Sequence, residues 1–230
     1  MPVPPSPGAV GAVVTETVTI AGRALEIAHP RSADELIDEA EYERDERLPY
    51  WADLWPSAHV LAAEVAGMDL AGRSVLELGC GVALPAVVAA RGGARVLATD
   101  WYAPALEFAE ANAAANDTRL RTLLVDWRDP PADLLSEAPF DVVIGADVLY
   151  EERNGVALAG LLPELVGPST EVLIADPRRP HAAELLDRLT AGGWSHVARE
   201  VRHSARVDES GPVVRLHALT PPGGAPARRP

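Results

Sequence analysis

The run Val75-Leu76-Glu77-Leu78-Gly79-Cys80-Gly81-Val82-Ala83-Leu84-Pro85 constrains this chain more than any other segment. It reads as a buried strand that breaks into a glycine turn and then opens a helix. A second apolar run, Arg95-Val96-Leu97-Ala98-Thr99, ends on Asp100, 19 positions beyond Gly81. Strand, glycine turn, helix, strand and terminal acid describe a site for an adenosine-containing ligand. The glycines let backbone approach the ligand, and the acid can accept both hydroxyls of a ribose. A bare Gly-x-Gly says little; Glu77 two residues ahead of it and Asp100 at this distance make it specific.

Around this unit, strands and helices alternate. Strands are expected at Ser74–Leu78, Ala94–Thr99, Arg121–Val125, Phe140–Ala146 and Glu171–Ala175, with helices at Leu84–Arg91, Ala103–Asn116, Glu151–Val166 and His181–Ala191. Continuous apolar runs such as Val142-Val143-Ile144 suit strands covered on both faces by helices. The alternation ends in a closing pair, Trp194–Glu200 and Val213–Leu219, joined by a loop. Upstream, Val13–Ile20 and Arg23–Ala28 flank Ala21-Gly22 as a hairpin. Ser32-Ala33-Asp34-Glu35 has capping-box spacing and opens an acidic helix to about Arg47. Ser57–Ala66 forms a helix before the first core strand. The expected organisation is a disordered start (1–12), a hairpin with an acidic helix (13–48), one α/β domain (49–220) and a disordered tail (221–230).

In an open α/β sheet, ligands sit outside the carboxyl ends of the strands. The unusual polar residues fall there: Glu77 and Gly79, Asp100, Asp126-Trp127, Asp147 and Asp176 end successive strands. Each acid taken singly can instead cap a helix, Asp176 more readily than Asp100. Three aromatics beside two prolines, in Pro49-Tyr50-Trp51-Ala52-Asp53-Leu54-Trp55-Pro56, either pack beneath the N-terminal segment or line a cleft. The six histidines lack ligand spacing, so no metal site is expected.

Composition bounds the function. A formal net charge of −14 disfavours naked nucleic acid, whose binding rests on phosphate neutralisation. A basic or small neutral partner suits such a surface better. Residues 31–54 carry nine acids against three arginines, a solvated helix face or an acidic lip. No apolar stretch is long enough for a membrane span, and no secretory signal is visible at the start. The single cysteine, Cys80, can form no internal disulfide, and a cytoplasmic monomer is expected. All 20 basic residues are arginine.

At Glu77–Gly81, Asp100, Trp127 and Asp147-Val148-Leu149-Tyr150 the chain resembles class I S-adenosylmethionine (SAM)-dependent methyltransferases, and within them the family-16 group, which includes many protein-lysine methyltransferases. The resemblance covers roughly residues 45–180 and includes Trp55-Pro56-Ser57. It implies an α/β Rossmann-like fold, with a mostly parallel seven-stranded sheet, an antiparallel closing strand and an N-terminal hairpin and helix extension. It implies SAM as cofactor, held by Trp55, Gly79, Gly81, Asp100, Trp127 and Ala146, with Glu77, Trp101 and Asp126 completing the set. It implies that Asp147 and Tyr150 dock and orient the acceptor, expected to be a lysine on a basic protein segment, with a general-base role the alternative for Asp147. One departure is Ala83, where many relatives carry glycine or another small residue; a methyl group there requires ordinary backbone angles.

Two other readings compete with a lysine acceptor: a small-molecule N- or O-methyltransferase, and a catalytically inactive SAM-binding module of the same fold. A nicotinamide-dependent oxidoreductase would carry Gly-x-Gly-x-x-Gly, whereas Leu84 stands at its last position. Tyr-x-x-x-Lys chemistry is excluded by the absence of lysine.

Overall fold

The structure, a computed structural model, describes residues 11–36, 48–203 and 211–224. Strands β1 (Val13–Ile20) and β2 (Arg23–Pro30) form an antiparallel hairpin around Ala21 and Gly22. Both turn residues have positive φ, 49° and 78°, which matches the right-handed twist of the strands they join. Where the acidic helix was expected, the chain makes a 3-10 turn at Asp34–Leu36, with the Asp34 N–H donating to Ser32 Oγ at 3.2 Å. The rest of that expected helix, the first ten residues and the end of the tail lie outside the described residues.

The α/β part of the chain begins with α1 (Pro56–Val65) and runs through β3 (Ser74–Leu78), α2 (Leu84–Arg91), β4 (Arg95–Asp100), α3 (Ala103–Ala115) and β5 (Arg121–Leu124). It continues with α4 (Ala132–Ser136), β6 (Phe140–Ala146), α5 (Glu152–Leu165), β7 (Val166–Asp176), α6 (Ala182–Ala191), β8 (Ser195–Arg202) and β9 (Val213–Thr220). The seven-stranded sheet has the order β5-β4-β3-β6-β7-β9-β8. Only β9 runs against its neighbours. It lies between β7 and β8 rather than at the rim, and burial accounts for that: β9 is buried at Val214 and from Leu216 to Thr220, whereas β8 has no buried residue. The more apolar strand takes the interior position.

Side-chain alternation gives the sheet two apolar faces. Val75, Val142, Ile144, Leu173 and Ala175 pack with α1 and α2, while Leu76, Leu78, Val143, Val172 and Ile174 pack with α5 and α6. Strand β7 starts five residues earlier than expected because Gly167-Pro168 reads as a break. Thr170 Oγ1 bridges the irregularity, accepting from the Gly167 N–H at 2.8 Å and donating to the Phe140 carbonyl at 2.6 Å. The hairpin docks through two buried asparagines, one in α3 and one at its C-terminal cap. Asn112 bonds to both the N–H (2.7 Å) and the carbonyl (2.9 Å) of Ala28, and Asn116 does the same at Glu26 (3.0 and 2.8 Å). Each amide thus mimics a strand partner for β2. Among the described residues no helix is long and apolar enough to cross a membrane.

Candidate active site

The chain leaves β3, β4 and β5 on one side of the sheet and returns through β6 on the other, so the carboxyl ends of β3 and β6 flank the switch point. A cleft opens there, enclosing about 990 Å³ with its open mouth included. All eleven residues expected at the site line it: Trp55, Glu77, Gly79, Gly81, Asp100, Trp101, Asp126, Trp127, Ala146, Asp147 and Tyr150.

The turn after β3 is built on left-handed backbone. Gly79 and Gly81 have φ of 64° and 49°. A Cβ on Gly79 would lie 3.0 Å from Val148 Cγ1 and 3.2 Å from the Trp127 ring, and one on Gly81 would lie 2.9 Å from the Trp51 carbonyl oxygen. Both glycines are therefore required by the protein's own packing, before any ligand is considered. Ala83 also has left-handed angles, φ 64° and ψ 34°, so the ordinary geometry expected for its methyl group does not hold. The chain tolerates this strained alanine at the entry to α2.

Asp100 closes the turn. Its Oδ2 accepts the Gly81 N–H and its Oδ1 accepts the Tyr102 N–H, each at 2.9 Å, and the residue is 6% exposed. The carboxylate also lines the cleft, where its oxygens are the type of group that accepts ligand hydroxyls. Glu77 is buried and its Oε2 accepts the Ala86 N–H in the first turn of α2 at 2.9 Å; burial pushes its carboxyl well above the ordinary value. Glu77 therefore joins β3 to α2 as well as lining the cleft. Cys80 is buried, and burial raises its thiol too, which argues against nucleophilic use.

Asp126 carries a bidentate pair with Arg128, whose guanidinium also lies 5.3 Å from the ring centre of the half-exposed Trp101. The indole N–H of Trp127 is buried with no hydrogen-bond partner among the described residues. An adenosine-containing group fits this half of the cleft: carboxylate acceptors on Asp100, an unpaired donor on Trp127 and a backbone cradle at Gly79–Gly81.

The other half is aromatic. The Tyr50 ring meets Tyr150 edge-on at 5.3 Å and Trp55 at 6.0 Å, and the Trp55 Nε1–H donates to the Tyr50 carbonyl at 2.8 Å. Trp51 instead is buried against Tyr102 and Phe108 beneath the hairpin. The aromatic cluster thus divides between the two roles considered for it. Behind this collar lies Asp147, 6% exposed and at φ 54°, with its N–H bonded to the Ala175 carbonyl at 2.8 Å. Its carboxylate is held by Arg179, Nε to Oδ1 at 2.9 Å and Nη2 to Oδ2 at 3.2 Å. Arg179 was invisible in the sequence, since the only hint was its place between Pro177 and Pro180, just beyond the strand-terminal Asp176. Asp176 caps no helix, since the next one opens at Ala182; both its oxygens instead accept the Arg179 N–H in the turn after β7, at 3.2 and 3.0 Å, and burial raises its carboxyl. Among the described residues no group of three or more acids, histidines or cysteines could hold a metal.

The sequence model of one family, described as lysine methyltransferase, matches residues 45–189. A curated relative, the protein N-lysine methyltransferase METTL21A of Danio rerio, is 38% identical over 136 residues, covering 56% of this chain and 62% of that one. Another, the histone-arginine methyltransferase METTL23 of Xenopus laevis, is 34% identical, covering 46% of this chain and 47% of its own length. The chain thus spans about three fifths or less of these relatives. Among solved structures, a Thermus thermophilus 16S rRNA N2 G1207 methyltransferase in complex with AdoMet and guanosine superimposes with a TM-score of 0.64. It is 16% identical over 91% of this chain and 50% of that one, a likeness of fold alone.

Proposed function

Because the chain belongs to the lysine methyltransferase family, we propose that it transfers a methyl group from SAM to a lysine side chain of another protein. The observation that carries the reading is the joining, in one cleft, of a glycine turn closed by Asp100 and an aromatic collar backed by Asp147. When bound, SAM supplies an electrophilic sulfonium methyl, so the protein's task is alignment and exclusion of water. Asp100 would accept ribose hydroxyls. The Trp127 N–H would donate to the cofactor, and Gly79, Gly81 and Ala146 would shape its bed with Trp55, Glu77, Trp101 and Asp126. Asp147 and Tyr150 orient the acceptor nitrogen within the collar. The domain 49–220 forms the catalytic unit, in a monomer of cytoplasmic setting, to which the single buried cysteine is suited.

The strongly acidic chain favours a basic acceptor segment, because complementary charge speeds encounter and weakens with salt. The alternative acceptor is arginine, after the name of the Xenopus relative. Incubation with radiolabelled SAM and a lysate of the source organism tests the reading. Label on protein lysines is the expected outcome, with an apparent KM for protein that rises with ionic strength while that for SAM barely moves. Because the chain has no lysine, labelled lysine cannot come from the enzyme itself. Label confined to small metabolites, or to arginine, would overturn the lysine assignment.

A further inference from the structure

The carboxylate behind the aromatic collar is not free to meet a cation. The fork of Asp147 is filled by the guanidinium of Arg179 in bidentate geometry, and the Asp147 side chain is 5% exposed against 35% for Arg179. Arg179 is fixed at both ends. Its backbone N–H is held by the Asp176 carboxylate, and its Cζ lies 5.8 Å from the Trp55 ring centre. The other groups facing the pair are Asp176 from β7 and Tyr50 from the collar. Neighbouring Arg178 is drawn away toward Glu200, at 3.9 Å. A guanidinium over an aromatic face and paired to a carboxylate holds the contacts that a cationic acceptor would otherwise make.

We infer that Arg179 is a positioning residue that sets the charge state, and so the kind, of the acceptor. By pairing with Asp147 it keeps that carboxylate from stabilising an ammonium in the collar, and the acceptor nitrogen enters as a free amine. This rests on the methyltransferase reading of the same cleft. An uncompensated carboxylate would stabilise an ammonium, which has no lone pair for attack. With Arg179 in place, the ammonium N–H bond breaks before entry and its proton passes to bulk water. Lysine can meet that demand, with an unperturbed pKa of about 10.4, whereas arginine, at about 12.5–13.8, stays charged. The same ion pair therefore selects lysine over arginine.

The test uses the protein loaded with S-adenosylhomocysteine, so that no turnover occurs, with n-butylamine and butylguanidine as probes of the two side chains. Binding is followed by the indole N–H resonance of Trp55 between pH 7 and pH 10. Affinity for butylamine should rise about tenfold per pH unit, as the free-amine fraction does, and butylguanidine should not bind. Arg179→Gln should flatten the butylamine profile and admit butylguanidine, while Arg179→Lys should restore the wild-type pattern. In Asp147→Asn/Arg179→Gln, which buries no unpaired charge, the steep profile should return. Butylguanidine binding to the wild type as tightly as butylamine, or an unchanged slope in Arg179→Gln, would overturn the inference. Failure of the wild type to bind S-adenosylhomocysteine in the same samples would instead sink the methyltransferase reading.

Discussion

Replacing Asp100 with alanine should damage the fold as well as the ligand site, because its carboxylate is also the acceptor that closes the glycine turn. Two backbone donors, Gly81 N–H and Tyr102 N–H, each sit 2.9 Å from its oxygens. Hydrogen bonds to a charged group contribute about 1.5–3 kcal/mol each, so losing both costs about 3–6 kcal/mol where nothing replaces them. The cleft admits water to the Gly81 side, which places the expected loss near the lower end, at about 3 kcal/mol. For a chain of this size each kcal/mol lowers Tm by about 2–4 °C, giving a fall of about 6–12 °C. Asp100→Asn retains one acceptor oxygen and should lose about half as much. Tryptophan fluorescence during urea unfolding reads the stability, and calorimetry with S-adenosylhomocysteine reads the site. A variant with an unshifted midpoint would refute the structural role, and one that still bound S-adenosylhomocysteine at wild-type affinity would refute the ribose role.

Three further outcomes are expected. Ala83→Gly relieves left-handed alanine backbone worth about 1–2 kcal/mol but removes a fully buried methyl worth about 0.8 kcal/mol; the denaturation midpoint should hold or rise, and a loss above about 2 kcal/mol would contradict the geometry. Asn112→Ala unpairs the N–H and carbonyl of Ala28 and the carbonyl of Val82, so hydrogen exchange at the Ala28 amide should accelerate well before global unfolding. Burial, then neighbouring His196, depress His217 from the ordinary 6.5 to about 4. Because the folded value is the lower one, its contribution is fully present above pH 6.5 and lost as pH falls toward 4. His217→Gln should flatten the stability profile in that window, and an unaltered slope would show that His217 does not carry it.

Much of this protein was legible because its signals are local. The continuous apolar runs of β3 and β6, the helix-opening Leu84-Pro85 and the breaks at Gly79 and Gly81 depend on near neighbours in sequence, and most core elements begin or end within two residues of expectation. The exceptions fall where local and distant preferences conflict. Gly167-Pro168 reads as a break, yet it joins β7 because Thr170 satisfies the irregular backbone. The short α4 follows a proline pair and was not foreseen.

Sequence alone determined the strand order's raw material, the glycine turn and the gathering of acids and aromatics at one sheet edge, since strand ends in a parallel sheet must share that edge. Tertiary structure decided what those residues are free to do. It placed β9 inside the sheet, sent Trp51 under the hairpin and left Tyr50 and Trp55 at the cleft, and gave Asp100 the turn to hold. Above all it paired Asp147 with Arg179, 32 residues away. Charge compensation acts through space over a few ångströms, and no spacing along a chain encodes it.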